Sequence, residues 1–180
     1  MDARRDYELP QGYEEIFIFY PPSCKNPLKR IMLFFLSQYY KRKFILAGNR
    51  LGISIGKDCF GYGLVIQHPG SIVVGSNNRI GNYALLNTST CIIQNGSTIG
   101  DGLFMGTGAT IIKKVSLADN LWIGSNSVVN NSFGANMLIG GTPAKVLKSI
   151  KGGWYQYLYK EEWYRRYTMC ENLKKEMGIN

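Results

Sequence analysis

Long hydrophobic runs are missing from this chain. The longest, Ile31–Leu36, falls far short of the roughly 20 apolar residues that a bilayer-spanning helix needs, so a transmembrane helix is excluded. Cysteine is scarce: Cys24, Cys59, Cys91 and Cys170 are widely separated and form no CxxC pair. They read as reduced thiols of a cytoplasmic protein, with Cys59 and Cys91 inside the fold. There is one histidine, which argues against a zinc centre built from three imidazoles, and no metal is expected. The first residues, Met1–Glu8, are charged and lack an apolar segment, so no signal peptide is expected. Acidic residues are absent from 21–50, which hold seven basic ones, while 51–142 are nearly neutral. The basic groups frame the middle of the chain without forming a nucleic-acid-binding motif, so no nucleic-acid partner is expected.

What the chain does have is a ruler. Phe60, Ile66, Ile72, Ile80, Leu86, Ile92, Ile99, Met105, Ile111, Leu117, Ile123 and Val129 are all large and apolar, and nine of the eleven steps between them are six residues long. A helix would repeat at about 3.6 and a half-buried strand at about 2. A period of six instead indicates a solenoid in which each hexad makes one short strand and one turn. The residue after the ruler position is often glycine (Gly61, Gly81, Gly100, Gly106, Gly124). The fourth after it is often small (Gly70, Ser76, Ala84, Thr90, Ala109, Ser127). Glycine at corners and small residues inside fit a narrow triangular coil. The twelve hexads group into four coils of three. The longer steps, Ile72 to Ile80 and Ile92 to Ile99, are read as corner insertions.

Three segments follow from this pattern. Residues 1–50 form an N-terminal arm and a basic helix. That helix is expected over 26–47, capped by Asn26 with Pro27 in its first turn and ended by Gly48. Residues 51–145 form the solenoid, closed by Gly140-Gly141-Thr142-Pro143. Residues 146–180 form a C-terminal extension with a helix over about 153–177, rich in Trp, Tyr and Lys, which caps or flanks the repeat.

His68 sits two residues past Ile66, beside a Pro-Gly turn, where a solenoid corner exposes it. An imidazole is the side chain naturally poised to act as a base near neutral pH. The segment His68-Pro69-Gly70-Ser71-Ile72-Val73-Val74, followed by Arg79-Ile80-Gly81-Asn82, resembles the serine acetyltransferase branch of the hexapeptide-repeat acyltransferases. Ile139-Gly140-Gly141-Thr142-Pro143-Ala144-Lys145-Val146 resembles the terminal motif of the same superfamily. The match covers roughly residues 30–150. It implies an all-β solenoid, a left-handed parallel β-helix with flanking N- and C-terminal helices. It also implies a homotrimer with active sites between subunits, and acetyl-CoA as co-substrate.

His68 is then the expected catalytic base for direct acetyl transfer to a hydroxyl. Gly106, Thr107, Ala109, Gly124, Ser125 and Lys145 are the expected cofactor-binding residues, with Lys113, Lys114 and Lys148 as further phosphate partners. The chain departs from the resemblance where relatives carry an Asp (here Ile53), a Glu (here Ser76) and an Arg-His pair (here Asn95 and Gly96). The base stays while the groups that orient it and recognise an amino acid do not. A sugar of a capsule, O-antigen or exopolysaccharide precursor is therefore the expected acceptor. Serine O-acetylation is the alternative, and a non-catalytic scaffold the third reading. The mixture of Ile31–Leu36 with Lys41-Arg42-Lys43 also allows peripheral contact of residues 26–47 with the inner membrane face. The C-terminal aromatics Trp154, Tyr155, Tyr157, Trp163 and Tyr164 are candidates for packing or for stacking on a sugar.

Overall fold

The computed structural model describes residues 27–157 and 160–176. The chain divides into two compact units, one ending at Ala47 and the other beginning at Gly48. The helix α1 (Pro27–Leu51) accounts for the described part of the first and runs a turn beyond the expected end.

The second unit is a parallel β-helix of about five turns, left-handed as expected. The first coil contributes β1 (Ile53–Ile55), a bridge at Phe60 and β2 (Val65–Ile66). The second contributes β3 (Ile72–Val74), β4 (Arg79–Ile80) and β5 (Leu85–Leu86). The third contributes β6 (Thr90–Ile92), β7 (Thr98–Ile99) and β8 (Phe104–Met105). The fourth contributes β9 (Thr110–Ile111), β10 (Ser116–Leu117) and β11 (Leu121–Ile123). The fifth contributes β12 (Val128–Val129), a bridge at Phe133 and β13 (Met137–Gly140). Stacked parallel, they make three faces: β1-β3-β6-β9-β12 (face one), β4-β7-β10 (face two) and β2-β5-β8-β11-β13 (face three).

The sequence pattern gave four coils; the fifth was hidden at both ends. Ile53–Ile55 begins the first coil, and the last is short, with Leu117 paired to Phe133 across 16 residues where other coils take 18 to 20. The ruler also slips once. Val74, not Ile72, stands in register with Ile92, Ile111 and Val129. Both Ile72 and Val74 point inward, with Val73 facing out between them. The long step is therefore Ile66 to Val74, and the extra residues belong to the corner that carries His68. For the same reason Ser76 is exposed, and the small interior position of that coil is filled by Asn78, which is fully buried.

The interior row, including Ile72, Leu86, Ile92, Met105, Ile111, Ile123, Val129 and Ile139, has no solvent exposure. Burial of each such side chain contributes about 1.5–3 kcal/mol. The corners add polar ladders. Where face two turns into face three, the Asp119 carboxylate accepts from the Asp101 amide (2.8 Å) and Asp101 from the Asn82 amide (2.7 Å). The Asn82 side-chain oxygen accepts from the Tyr62 amide (3.1 Å). A Cβ at Gly61, Gly81 or Gly100 would overlap those side-chain oxygens, which explains glycine there. The next position but one is left-handed in all five coils: Gly63, Tyr83, Gly102, Asn120 and Asn136. Tyr83, with φ 58°, is the strained member, since bulky residues rarely tolerate that region.

What holds Tyr83 is the C-terminal extension. After the antiparallel strand β14 (Lys145–Ser149), paired with β13, come a 3-10 turn (Trp154–Gln156) and α2 (Lys160–Glu176). The expected single helix from 153 is thus shorter, and the hairpin spans the boundary expected at 145/146. Trp154, nearly fully buried, donates its indole N–H to the Tyr83 carbonyl at 2.7 Å. The Tyr83 ring meets Tyr155 and Tyr167 at 5.6 and 4.8 Å, and its hydroxyl donates to Glu171. Tyr157 contacts Trp122 on face three at 6.0 Å. These aromatics are spent on packing; the side chain of Trp163 lies outside the described residues.

Asn78 gives a direct test of the corner ladders. Its side chain donates to the carbonyls of Gly75 (2.9 Å) and Ile93 (3.0 Å) and accepts from the Ser97 amide (2.9 Å). Asn78→Ala strands these buried groups and should cost about 2–3 kcal/mol in urea denaturation. The neighbouring exposed Asn77→Ala should change stability by less than about 0.5 kcal/mol.

Candidate functional site

The edge where face three turns into face one carries most of the expected site residues. Its corners follow Ile66, Leu86, Met105, Ile123 and Ile139, which stand in one register row. From the first coil upward it presents Gln67–Ser71, Asn87–Ser89, Gly106–Gly108, Gly124–Asn126 and Gly141–Pro143. Coils stack at about 4.8 Å, so Thr107 lies about 10 Å along the edge from His68 and Ser125 about 14 Å.

His68 and Pro69 are exposed at the bottom of this edge. Ile66 pairs with Leu86 and Ile72 with Thr90, so residues 67–71 oppose only 87–89. Two extra residues push this corner outward from the prism and carry the imidazole with it. Gly70, with φ 153°, permits the turn, and a Cβ there would come within 3.0 Å of the Thr88 methyl. No hydrogen bond holds the imidazole among the described residues. The position expected to supply an orienting Asp is Ile53, which packs against the core from face one.

Higher on the edge, Gly106 has no room for a side chain, since a Cβ would sit 2.7 Å from the Ser125 amide nitrogen. Ala109 is fully buried and lines the interior, not the edge surface. Thr107 and Ser125 are exposed. Their carbonyl and amide neighbours are engaged: Asn126 N–H donates to Thr107 O (2.8 Å), Gly106 N–H to Ile123 O (2.8 Å) and Gly124 N–H to Ile139 O (2.8 Å). The Thr107 and Ser125 amides donate to no protein acceptor among the described residues, which leaves two N–H groups about one coil apart on the edge. The resemblance points to exposed backbone at these equivalent corners; which amides stay without an acceptor is what the spacing alone did not reveal.

The top of the edge is the β13–β14 turn. The Val128 amide donates to the Gly141 carbonyl (3.0 Å) and the Ala144 amide to the Val128 carbonyl (2.8 Å), which seats Gly-Gly-Thr-Pro-Ala on the last strand of face one. Lys145 follows at once, paired with Gly140 and exposed. Lys148 lies farther along the same hairpin. Lys113 and Lys114 are exposed where face one turns into face two, so they do not share the His68 edge. Asn95 and Gly96 belong to that other edge too, inside the one-residue insertion between Ile92 and Ile99. Neither cysteine with a described side chain offers a nucleophile on the edge. Cys59 is buried in the core with its thiol pushed up by that burial, and Cys91 lies on face one.

No family model matches the chain. A serine acetyltransferase of Staphylococcus xylosus is 29% identical over 127 residues, 61% of this chain and 58% of the relative. The structure of Neisseria gonorrhoeae serine acetyltransferase superposes with a TM-score of 0.52 at 22% identity, over 68% of this chain and 48% of that one. A serine acetyltransferase solved in complex with CoA gives 0.51 at 22%, over 67% and 51%. The chain therefore spans about half the length of the curated relatives it matches. The chain is thus similar in sequence to serine acetyltransferases and shares the left-handed β-helix of those solved.

The His68 corner has a stability signature of its own. Gly70→Ala meets both the backbone restriction and the Thr88 methyl and should cost about 1–3 kcal/mol by denaturant titration. Gly96→Ala, with φ 76° but open space around it, should cost only about 1 kcal/mol.

Proposed function

We propose that this chain is an acetyl-CoA-dependent O-acetyltransferase working by direct transfer, with His68 as the general base. One observation carries the reading: the only imidazole of the chain projects from the same edge that presents the Thr107 and Ser125 amides, in a chain similar to serine acetyltransferases in sequence and fold. The pantetheine arm of acetyl-CoA runs along that edge, its amide carbonyls accepting from the free backbone N–H groups. Lys145 lies close to the upper end, where an ammonium would meet a CoA phosphate as a point charge. Lys113 and Lys114 take no part on this edge.

The imidazole of His68 removes the proton from the acceptor hydroxyl as its oxygen attacks the thioester carbonyl. Backbone N–H groups stabilise the oxyanion of the tetrahedral intermediate. Collapse breaks the carbon–sulfur bond, and the imidazolium returns the proton to the departing CoA thiolate. No covalent acyl-enzyme forms, in keeping with the buried position of Cys59. A solenoid edge is convex and cannot enclose a substrate by itself, so the reading includes a homotrimer in which a neighbouring subunit supplies the second wall and excludes water. The cytoplasm, where acetyl-CoA is made, is the matching compartment.

Serine is the acceptor named for the relatives, and it is the first to test. A sugar hydroxyl is the second reading, favoured by a specific observation. Free serine brings an ammonium and a carboxylate, yet the described residues flanking His68 on its edge (Gln67, Ser71, Thr88, Ser89) are uncharged, and Ile53 and Ser76 replace the acidic groups. Uncharged hydrogen-bonding walls suit a polyol better.

Thiol release from acetyl-CoA, measured against L-serine and a panel of sugars and nucleotide sugars, separates the two acceptors. His68→Ala should lower turnover with the productive acceptor by roughly 100-fold or more while leaving CoA binding within about twofold of wild type. Near-wild-type turnover in that variant overturns the assignment, and failure of the wild type to bind CoA promotes the scaffold reading.

A further inference from the structure

The register identifies the extra pair at the His68 corner. Ile66 pairs with Leu86 and Ile72 with Thr90, so Gln67 stands level with Asn87 and Gly70 with Thr88. His68 and Pro69 have no counterparts in the coil above. The two stems of this pair are held differently. The entering stem is tied through backbone, the Gln67 amide donating to the Leu86 carbonyl at 3.2 Å. The leaving stem lies in a stack of three. Below it, the Ile72 amide donates to the Gly52 carbonyl at 3.0 Å, and a Cβ at Gly52 would come 3.4 Å from the Gly70 carbonyl oxygen. Above it, a Cβ at Gly70 would lie 3.0 Å from Thr88 Cγ2 and 3.1 Å from Thr88 Cβ. The Thr88 side chain therefore rests on the Gly70 backbone.

Thr88 is itself a fixed platform. Its carbonyl accepts from the Gly108 amide at 3.1 Å. The buried Asn87 side chain before it donates to the Met105 carbonyl (2.9 Å), and the Thr90 hydroxyl after it donates to the Asn87 carbonyl (2.9 Å). No hydrogen bond engages the Thr88 hydroxyl among the described residues, and its methyl carbon is the atom nearest the missing Gly70 Cβ. An imidazole without an orienting carboxylate takes its position from the backbone that carries it. A shift of about 1 Å in a reacting group can cost roughly 100-fold in rate.

We propose that Thr88 is the positioning residue for His68. Its γ-methyl, seated on Gly70, sets how the extra pair His68-Pro69 projects from the edge, the task left open by Ile53 in place of an Asp. The inference rests on the reading of His68 as the general base.

Steady-state turnover of full-length Thr88→Ser, Thr88→Val and His68→Ala tests it. Thr88→Ser keeps the hydroxyl and removes the methyl. It should lower kcat about tenfold, with KM for acetyl-CoA within about twofold and the unfolding midpoint within a few degrees of wild type. Thr88→Val keeps a methyl on Gly70 and should retain at least about half of the wild-type kcat. Added to His68→Ala, Thr88→Ser should lower the residual turnover by less than about twofold, since no base is left to position. Wild-type kcat in Thr88→Ser beside an impaired His68→Ala overturns the inference and leaves the base assignment standing. So does a tenfold loss in Thr88→Val, which would assign the hydroxyl to the substrate. The same loss carried into the His68→Ala background also overturns it, by giving Thr88 a role independent of the imidazole. Near-wild-type turnover in His68→Ala removes the base, and this inference with it.

Discussion

Everything in the repeat depends on the inter-coil backbone ladder, which lets only alternate residues of each short strand point inward. Each strand is two to four residues long inside the repeat and has no independent stability. It exists because the coil below offers carbonyls in register and the coil above offers amides. That constraint forces a large apolar residue inward at each strand and sends every added residue to a corner. Corners are consequently the only places where this fold can vary, and the only places where it can do chemistry.

The three edges have taken on different tasks. Where face two meets face three, the Asn82–Asp101–Asp119 ladder and strained Tyr83 anchor the C-terminal extension. Where face one meets face two, Asn78 and Ser97 fill the corner with buried hydrogen bonds. Where face three meets face one, the amides of Thr107 and Ser125 have no acceptor among the described residues, and two extra residues lift His68 outward. It is His68, carried by that outward corner, that sets this edge apart from the other two and makes it the one to which acetyl transfer is assigned in the proposal.

Much of this was legible in the sequence, and the misses have physical causes. The period of six specified the solenoid because no other regular structure repeats that way. It misplaced one insertion because Ile72-Val73-Val74 offers two inward residues, and spacing cannot tell which of them continues the row. The antiparallel strand Lys145–Ser149 was missed because it follows a Pro-containing turn and alternates no clear buried face, all five residues being exposed. The Asx ladder left a readable trace, Asn82, Asp101 and Asp119 each two places past a ruler residue, that the search for large and small residues passed over. Of the site, His68 and the glycine corners were readable as types. Their alignment on one edge required the register, and so did the separation of Lys113 and Lys114 from it.

The central claim is that one edge of the prism binds acetyl-CoA with His68 at its lower end. Amide hydrogen exchange with and without CoA tests it most directly. Protection is predicted at Gly106–Gly108, Gly124–Asn126 and the Gly141–Lys145 turn, with no change at Asn82, Asp101 and Asp119 on the anchoring edge. Protection confined to another edge, or none at saturating CoA, would contradict the account.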